Sequence, residues 1–294
     1  MKVLILGGRG RLAAALARVW ARSHEVEVLS RPEADVRDAE ALQKILRKCR
    51  FDVLVNGTGL TNVDRCETDR DEAWEVNARA PGLMAASART AGARLIHFST
   101  DYVFDGQTPD PLAEESPARP LGWYGQTKRE GELAVLADSA AHWVVRVSWV
   151  FGPDKPSFID MILDRARTGQ DLTAVADKYS CPTYSLDAAS WLEPILTGSG
   201  PGGLLHLCNP GACSWHDMAT FALRCARDAG IPLASADVRP LRLEEMRQFL
   251  APRPRESVLS TEKLTRLTGI RPRPWQEAVR EYINSQHAPV LPSA

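Results

Sequence analysis

The residues with chemistry to offer are Thr100, Asp101, Tyr124 and Lys128. Thr100 and Asp101 follow the apolar, β-prone run Arg94-Leu-Ile-His-Phe-Ser, which predicts a strand ending at Ser99 and Thr100. Open α/β sheets put their chemistry just past a strand's carboxyl end. Tyr124 and Lys128 lie four residues apart in a stretch that turns helical after Leu121, so both project from one helix face. An ammonium beside a phenol favours the phenolate and lowers the tyrosine pKa. A hydroxyl from Thr100 completes a three-part acid–base device. Taken alone, Tyr-x-x-x-Lys describes an ordinary surface pair. The Ser-Thr-Asp strand end and an amino-terminal glycine loop turn the reading toward catalysis.

Positioning these groups requires a sheet, and the first half of the chain spells one out. Residues 2–6 read as a buried strand, followed by Gly7-Gly8-Arg9-Gly10-Arg11-Leu12-Ala13 and an Ala-rich helix to about Arg22. Strand, glycine turn and helix are the context in which a dinucleotide motif is credible. Two frames fit: Gly8, Gly10 and Ala13, or the wider Gly7, Gly10 and Ala13. In both, backbone N–H groups approach a pyrophosphate at the helix start. A second strand, Glu25–Leu29, ends at Ser30 and Arg31. An acid there suits a ribose 2′-hydroxyl and an arginine suits a 2′-phosphate, so Ser30, Arg31 and Arg9 favour NADPH, with NADH admissible. Asp35 and Val36 either contact the adenine or cap a helix over 38–49.

A third strand, Phe51 to Asn56, runs into Gly57-Thr58-Gly59-Leu60, small residues that let a cofactor lie close. A helical stretch from Cys66 to Ala91 is expected to break near Pro81, with Trp74, Val76, Leu83 and Met84 in the core. Asn77, within it, is either a surface residue or an anchor for the catalytic strand. The Pro- and acid-rich loop 105–121, with Glu114 and Glu115, is a candidate lid. A further strand spans His142–Ser148. The alternation predicts an α/β fold, a Rossmann doubly wound parallel sheet over 1–152. The pattern changes after Gly152, and 153–294 reads mainly as a smaller mixed α/β substrate domain with segments free to return to the first. Its expected helices are Phe158–Thr168, Ser185–Leu192, Trp215–Ala229 and Trp275–Ile283, with a strand at Gly203–Cys208. Asp177-Lys-Tyr-Ser-Cys-Pro182-Thr183 is expected to wall the site. Arg253 and Arg255 either grip a diphosphate or belong to a charged loop. The tail from His287 to Ala294 is expected to be loose.

The composition excludes several classes. A net charge of -1 over 294 residues is not that of a nucleic-acid binder. No apolar run reaches membrane-spanning length. Cys49, Cys66, Cys181, Cys208, Cys213 and Cys225 form no Cys-x-x-Cys and the histidines no ligand spacing, so no metal site is expected. Reduced structural thiols and the absence of a signal peptide point to the cytoplasm.

In order along the chain come Asp52-Val-Leu-Val-Asn56, Val63-Asp64, Glu75-Val-Asn77, Ser99-Thr-Asp-Tyr-Val-Phe104, Tyr124-Gly-Gln-Thr-Lys128, Arg146-Val-Ser-Trp-Val-Phe-Gly152 and Pro182-Thr183. With the amino-terminal Gly-x-x-Gly and the Arg253-Pro-x-x-Ser-x-Leu segment, the chain resembles the dTDP-4-dehydrorhamnose reductase family of extended short-chain dehydrogenase/reductases. The resemblance covers nearly the whole chain. It implies hydride transfer from NAD(P)H to the C4 ketone of a dTDP-sugar, with Thr100, Tyr124 and Lys128 as the catalytic set. It implies Thr100, Asp101 and Trp149 near the sugar. It implies Gly10, Arg11, Leu12, Thr58, Gly59, Leu60, Tyr124 and Lys128 along the cofactor, and it allows a homodimer. Ala13 stands for the usual third glycine, Asn56-Gly-Thr-Gly-Leu60 for an alanine-rich turn, and Asp177-Lys-Tyr-Ser-Cys for Asp-Gln-x-Gly. Another nucleotide-sugar 4-ketoreductase of a deoxysugar pathway, a nucleotide-sugar epimerase or dehydratase, and a non-catalytic dinucleotide-binding regulatory subunit are the rival readings.

Overall fold

The computed structural model describes residues 1–288. Chain order begins β1 (Lys2–Leu6), α1 (Arg11–Trp20), β2 (Glu25–Leu29), α2 (Ala39–Lys48) and β3 (Val53–Asn56). It continues α3 (Val63–Thr68), α4 (Arg70–Trp74), a π-helical turn (Glu75–Arg79), α5 (Ala80–Thr90), β4 (Arg94–Thr100), α6 (Trp123–Asp138) and β5 (Trp143–Val147). The second half holds β6 (Val150–Phe151), α7 (Phe158–Arg167), β7 (Leu172–Val175), β8 (Tyr179–Ser180), β9 (Thr183–Tyr184) and α8 (Ser185–Thr197). Then come β10 (Gly203–His206), β11 (Cys213–Ser214), α9 (Trp215–Asp228), β12 (Val238–Leu241), β13 (Glu256–Ser257), α10 (Glu262–Thr268) and α11 (Trp275–Gln286).

Six strands form one sheet in the order β2-β1-β3-β4-β5-β10, every pair parallel. Successive side chains on a strand face opposite ways, and β1 uses both faces. Val3 and Ile5 pack with Leu16 and Trp20 of α1 and Leu192 of α8, while Leu4 and Leu6 pack with Leu42 of α2 and Met84 of α5. A sheet covered on both sides explains why its central strands are continuous apolar runs. The order reverses between β1 and β3, the place where such sheets open a ligand crevice at their carboxyl ends.

Residues 185–206 return to this sheet: β10 pairs with β5, and α8 lies on α1, where the Trp20 indole donates to the Ala189 carbonyl at 2.8 Å. The rest of the second half has its own core, with Phe151, Ile162, Leu163, Phe221, Ala222 and Tyr282 buried together. It adds the small sheets β11-β8-β13, β12-β7 and β6-β9.

Several expectations need correction. The stretch 66–91 is interrupted at Asp69 and by the π-helical turn, and Pro81 sits in the first turn of α5, where its missing N–H costs little. Trp74 is exposed and stacks on Trp123 rather than entering the core. The loop 105–121 is a tied strap, not a free lid. Leu112 bonds Val258 and Ser260, both at 2.8 Å, and the buried Glu114 carboxylate accepts the His206 N–H at 2.8 Å. α8 continues five residues past Leu192, through Pro194. The start of the expected loose tail is held, since His287 and Tyr282 both bond the Asp160 carboxylate at 2.9 and 2.7 Å. The remainder of that tail, 289–294, lies outside the described residues.

Candidate active site

At the carboxyl ends of β1, β3, β4 and β5 a cleft of about 780 Å³ gathers most of the residues singled out above. Gly7, Arg9, Gly10, Arg11 and Leu12 line one end, with Ser30, Arg31 and Val36. Thr58 and Gly59 line the middle, and Thr100, Asp101, Tyr124, Lys128 and Trp149 the other end. Asp35, Leu60 and Arg253 do not line it.

The glycine end is built for close approach. Gly7 has φ +86°, and a Cβ there would stand 2.8 Å from the Gly57 carbonyl. β1 can thus turn against β3 only through glycine, which leaves the α1 amino terminus open to the cleft. Arg11 lines this end while its guanidinium is tied to the second half. Its guanidinium donates to the carbonyls of Val150, Lys155 and Pro156 at 2.7, 2.9 and 2.6 Å, fastening α1 to the second half. Lys155 also lines the cleft, a contribution from the second half that the sequence reading missed.

The middle is held by buried amides. Asn56 Oδ1 accepts the Thr58 N–H and hydroxyl at 3.0 and 2.6 Å, and its amide nitrogen reaches His97 Nδ1 at 3.0 Å. Asn77 is buried and grips Leu60, accepting its N–H at 2.9 Å and donating to its carbonyl at 3.1 Å, with Thr127 of α6 at 3.3 Å. Asn77 therefore anchors the turn after β3 to the Tyr124 helix, not the catalytic strand as one reading had it. The Leu60 side chain packs into the core.

At the reactive end, Thr100 is the last residue of β4, where its register partner is Val147 of β5. Its hydroxyl donates to Asp101 Oδ1 at 3.1 Å and accepts the Tyr102 N–H at 3.2 Å, and it lines the cleft beside Tyr124. Asp101 Oδ2 accepts the Ser257 hydroxyl at 2.6 Å. Ser257 on β13 was overlooked, although its segment had been singled out for its arginines. Burial pushes the Tyr124 phenol well above its ordinary value, and the nearby Asp101 adds to the rise while the Thr100 hydroxyl opposes it. Lys128 Nζ donates to the Phe98 carbonyl at 2.6 Å, and burial lowers its pKa to about 8 against the opposing pull of Glu132. The expected depression of Tyr124 is thus corrected: loss of water dominates and the phenol is raised, while one of the three N–H groups of Lys128 goes to a strand carbonyl.

Behind the sheet, Arg146 of β5 and Glu132 of α6 form a bidentate pair, both bonds 2.7 Å, with neither side chain more than 1% exposed. Trp149 follows with φ +44°, a backbone state costing about 1–3 kcal/mol for a non-glycine residue, and it packs on Phe158 and Trp215. Strain of this kind is kept where a side chain must be aimed.

Two candidates are engaged elsewhere. Arg253 gives both terminal nitrogens to Asp64, at 2.9 and 2.7 Å, and stacks on Phe249, so it locks a loop to α3 instead of gripping a diphosphate. Asp35 is clasped by Arg37, and the cap of α2 is Asp38, which accepts the Ala41 N–H at 2.9 Å. Of the expected wall 177–183, Lys178 is buried over the Tyr102 ring and Asp177 accepts the Leu243 N–H at 2.6 Å. Among the described residues no group of His, Cys, Asp and Glu could hold a metal ion, and no helix is long and apolar enough to cross a membrane. The six cysteines are free thiols, none of them paired in a disulfide.

A family model described as the RmlD substrate binding domain matches residues 1–288. The chain belongs to that family. It is 37% identical to a probable dTDP-4,6-dihydroxy-2-methyloxan-3-one 4-ketoreductase of Streptomyces antibioticus, over 96% of this chain and 94% of that one. It is 34% identical to a dTDP-4-dehydrorhamnose reductase of Burkholderia thailandensis, over 95% and 97%. Among solved structures, a dTDP-4-dehydrorhamnose reductase of Bacillus anthracis in complex with NADP superposes with a TM-score of 0.89 at 26% identity, covering 97% of this chain and 99% of that one.

Proposed function

We propose that this protein reduces the C4 ketone of a dTDP-4-dehydro-6-deoxysugar, converting dTDP-4-dehydro-L-rhamnose to dTDP-L-rhamnose with NADPH in the cytoplasm. What supports the reading is the convergence of Thr100, Tyr124, Lys128 and the glycine loop on one cleft, in a chain whose relatives carry that activity by name. The cleft fits a dinucleotide: the Gly7 turn leaves no room for a side chain, and the α1 amino terminus faces in. Gly7, Gly10 and Leu12 would hold the pyrophosphate, Ser30 and Arg31 the adenosine ribose, and Thr58 and Gly59 the far half. When bound, NADPH supplies the hydride. Residues 1–152 serve mainly the cofactor and 153–294 mainly the sugar nucleotide.

The chain's own residues manage the proton. Burial keeps the Tyr124 phenol protonated, so it acts as the general acid toward the ketone oxygen as negative charge gathers there. The Thr100 hydroxyl hydrogen-bonds the same oxygen and polarises it. Lys128, one turn along α6, offers positive charge to the phenolate that forms. Asp101, fixed by Ser257, accepts a sugar hydroxyl, and Trp149 packs against the ring. The test is loss of NADPH absorbance with enzymatically generated dTDP-4-dehydro-L-rhamnose. Tyr124→Phe should lower kcat by at least about 100-fold while the cofactor Kd is retained. Near-full turnover of that variant would refute the assignment.

A further inference from the structure

The cleft is lopsided in charge. Arg9, Arg11, Arg31, Lys128 and Lys155 line it, and Asp101 is the one acid among the described residues that does. In a chain of net charge -1 that excess suits an anion. Arg11 is committed to three carbonyls, and Lys128 gives one N–H to the Phe98 carbonyl. Arg9 and Arg31 stand on the turns after β1 and β2. Lys155 differs from all of these, because it comes from the second half, between β6 and α7.

Its main chain is fixed beside the glycine loop. The Lys155 carbonyl accepts from Arg11 Nη2 at 2.9 Å and from Nε at 3.2 Å, and Arg11 is the first residue of α1. Asp154 pairs with Arg18, further along the same helix, and holds φ +79°, a costly state for a residue with a side chain. The adjacent carboxylate is therefore taken, and the exposed Lys155 side chain has no acid partner among the described residues. Lysine carries its charge on a flexible four-carbon stem. A dinucleotide set along the Gly7–Gly10 turn puts its diphosphate at the α1 amino terminus, next to this segment. Backbone N–H groups there offer dipoles but no formal charge.

We infer that Lys155 is a dinucleotide-binding residue that sets its ammonium against the diphosphate from the second half. This rests on reading the cleft as the dinucleotide site. The sugar nucleotide carries a diphosphate too, so the test separates the two. One pair of unit charges about 4 Å apart in water is worth about five-fold in affinity, and the second phosphate charge raises that to about ten-fold.

The experiment titrates the full-length protein with NADP⁺, with adenosine 2′-phosphate, which lacks the diphosphate, and with dTDP. Wild type, Lys155→Met and Lys155→Arg are compared in dilute buffer and at about 1 M salt, where the screening length falls to about 3 Å. A thermal melt of each accompanies the titrations. Lys155→Met should weaken NADP⁺ by about ten-fold in dilute buffer, and the gap should close in salt. Lys155→Arg should keep wild-type affinity, and adenosine 2′-phosphate and dTDP should bind all three proteins alike. A merely structural lysine would weaken NADP⁺ and adenosine 2′-phosphate equally, in both salts and along with the melt, and that result would overturn the inference. So would a loss confined to dTDP, which would give Lys155 to the sugar nucleotide instead. Failure of the wild-type protein to bind NADP⁺ would overturn the cleft reading, and this inference with it.

Discussion

Replacing Glu132 by Gln tests whether the buried pair behind the catalytic helix is what ties α6 to the sheet. Arg146 and Glu132 are joined by two bonds of 2.7 Å, and Arg129 adds a third to the same carboxylate at 2.7 Å. Burial alone would raise the Glu132 carboxyl, yet the bonds from Arg146 outweigh it and hold the group below its ordinary value. The stabilisation is therefore present above the ordinary carboxylate range and fades as pH falls through the folded value. Glu132→Gln leaves a guanidinium in the core without its counter-charge, a cost of about 3–5 kcal/mol. For a chain of this size that is a fall in Tm of order 10 °C. Urea denaturation at neutral pH, followed by tryptophan fluorescence, measures it. The double replacement Glu132→Leu with Arg146→Met removes both charges and should recover most of the loss, since a well-packed apolar substitute is often as stable as a buried pair. A loss below about 1 kcal/mol for Glu132→Gln, the range of exposed ion pairs, would refute the reasoning. So would a double replacement less stable than the single one.

The pH dependence of activity should follow Lys128. If its ammonium is the working form, kcat/KM falls as pH rises through about 8, and a rate flat to well above that value would exclude the role. The same shift carries a stability prediction. The folded value lies below the unfolded value of 10.5, so the unfolded chain binds more protons between the two and stability rises with pH across that window. Lys128→Met should therefore stabilise the fold at neutral pH by up to about 3 kcal/mol while activity is lost, read by urea midpoint and turnover together. Asn77→Ala removes both anchors of Leu60 and the link to Thr127 and strands the half-buried Leu60 N–H, its carbonyl keeping only the Cys66 thiol. It should cost about 2–4 kcal/mol and weaken dinucleotide binding, which a cofactor titration beside the urea midpoint would detect.

Local pattern determined the strands, the glycine turn, the helix carrying Tyr124 and Lys128, and the strand end carrying Thr100. Each of these is set by short-range constraints: alternation or continuity of apolar residues, a turn only glycine can make, a spacing of four on one helix face. What the partners of those groups would be was a different matter. Lys128 was expected to act on the phenol beside it, but the neighbour that claims its ammonium is the Phe98 carbonyl on a strand thirty positions earlier. Arg253 looked free for a diphosphate until folding set it against Asp64, 189 residues away in sequence. Ser257 reached Asp101, and Glu114 reached His206, by the same kind of distant closure. Desolvation belongs to this second class as well, because the rise of the Tyr124 phenol comes from elements packed over it and not from the residues next to it in sequence. Sequence thus determined which groups exist and on which element each stands. Tertiary structure alone decided which charges are paired and which are dry, because pairing and burial depend on contacts that no local periodicity encodes.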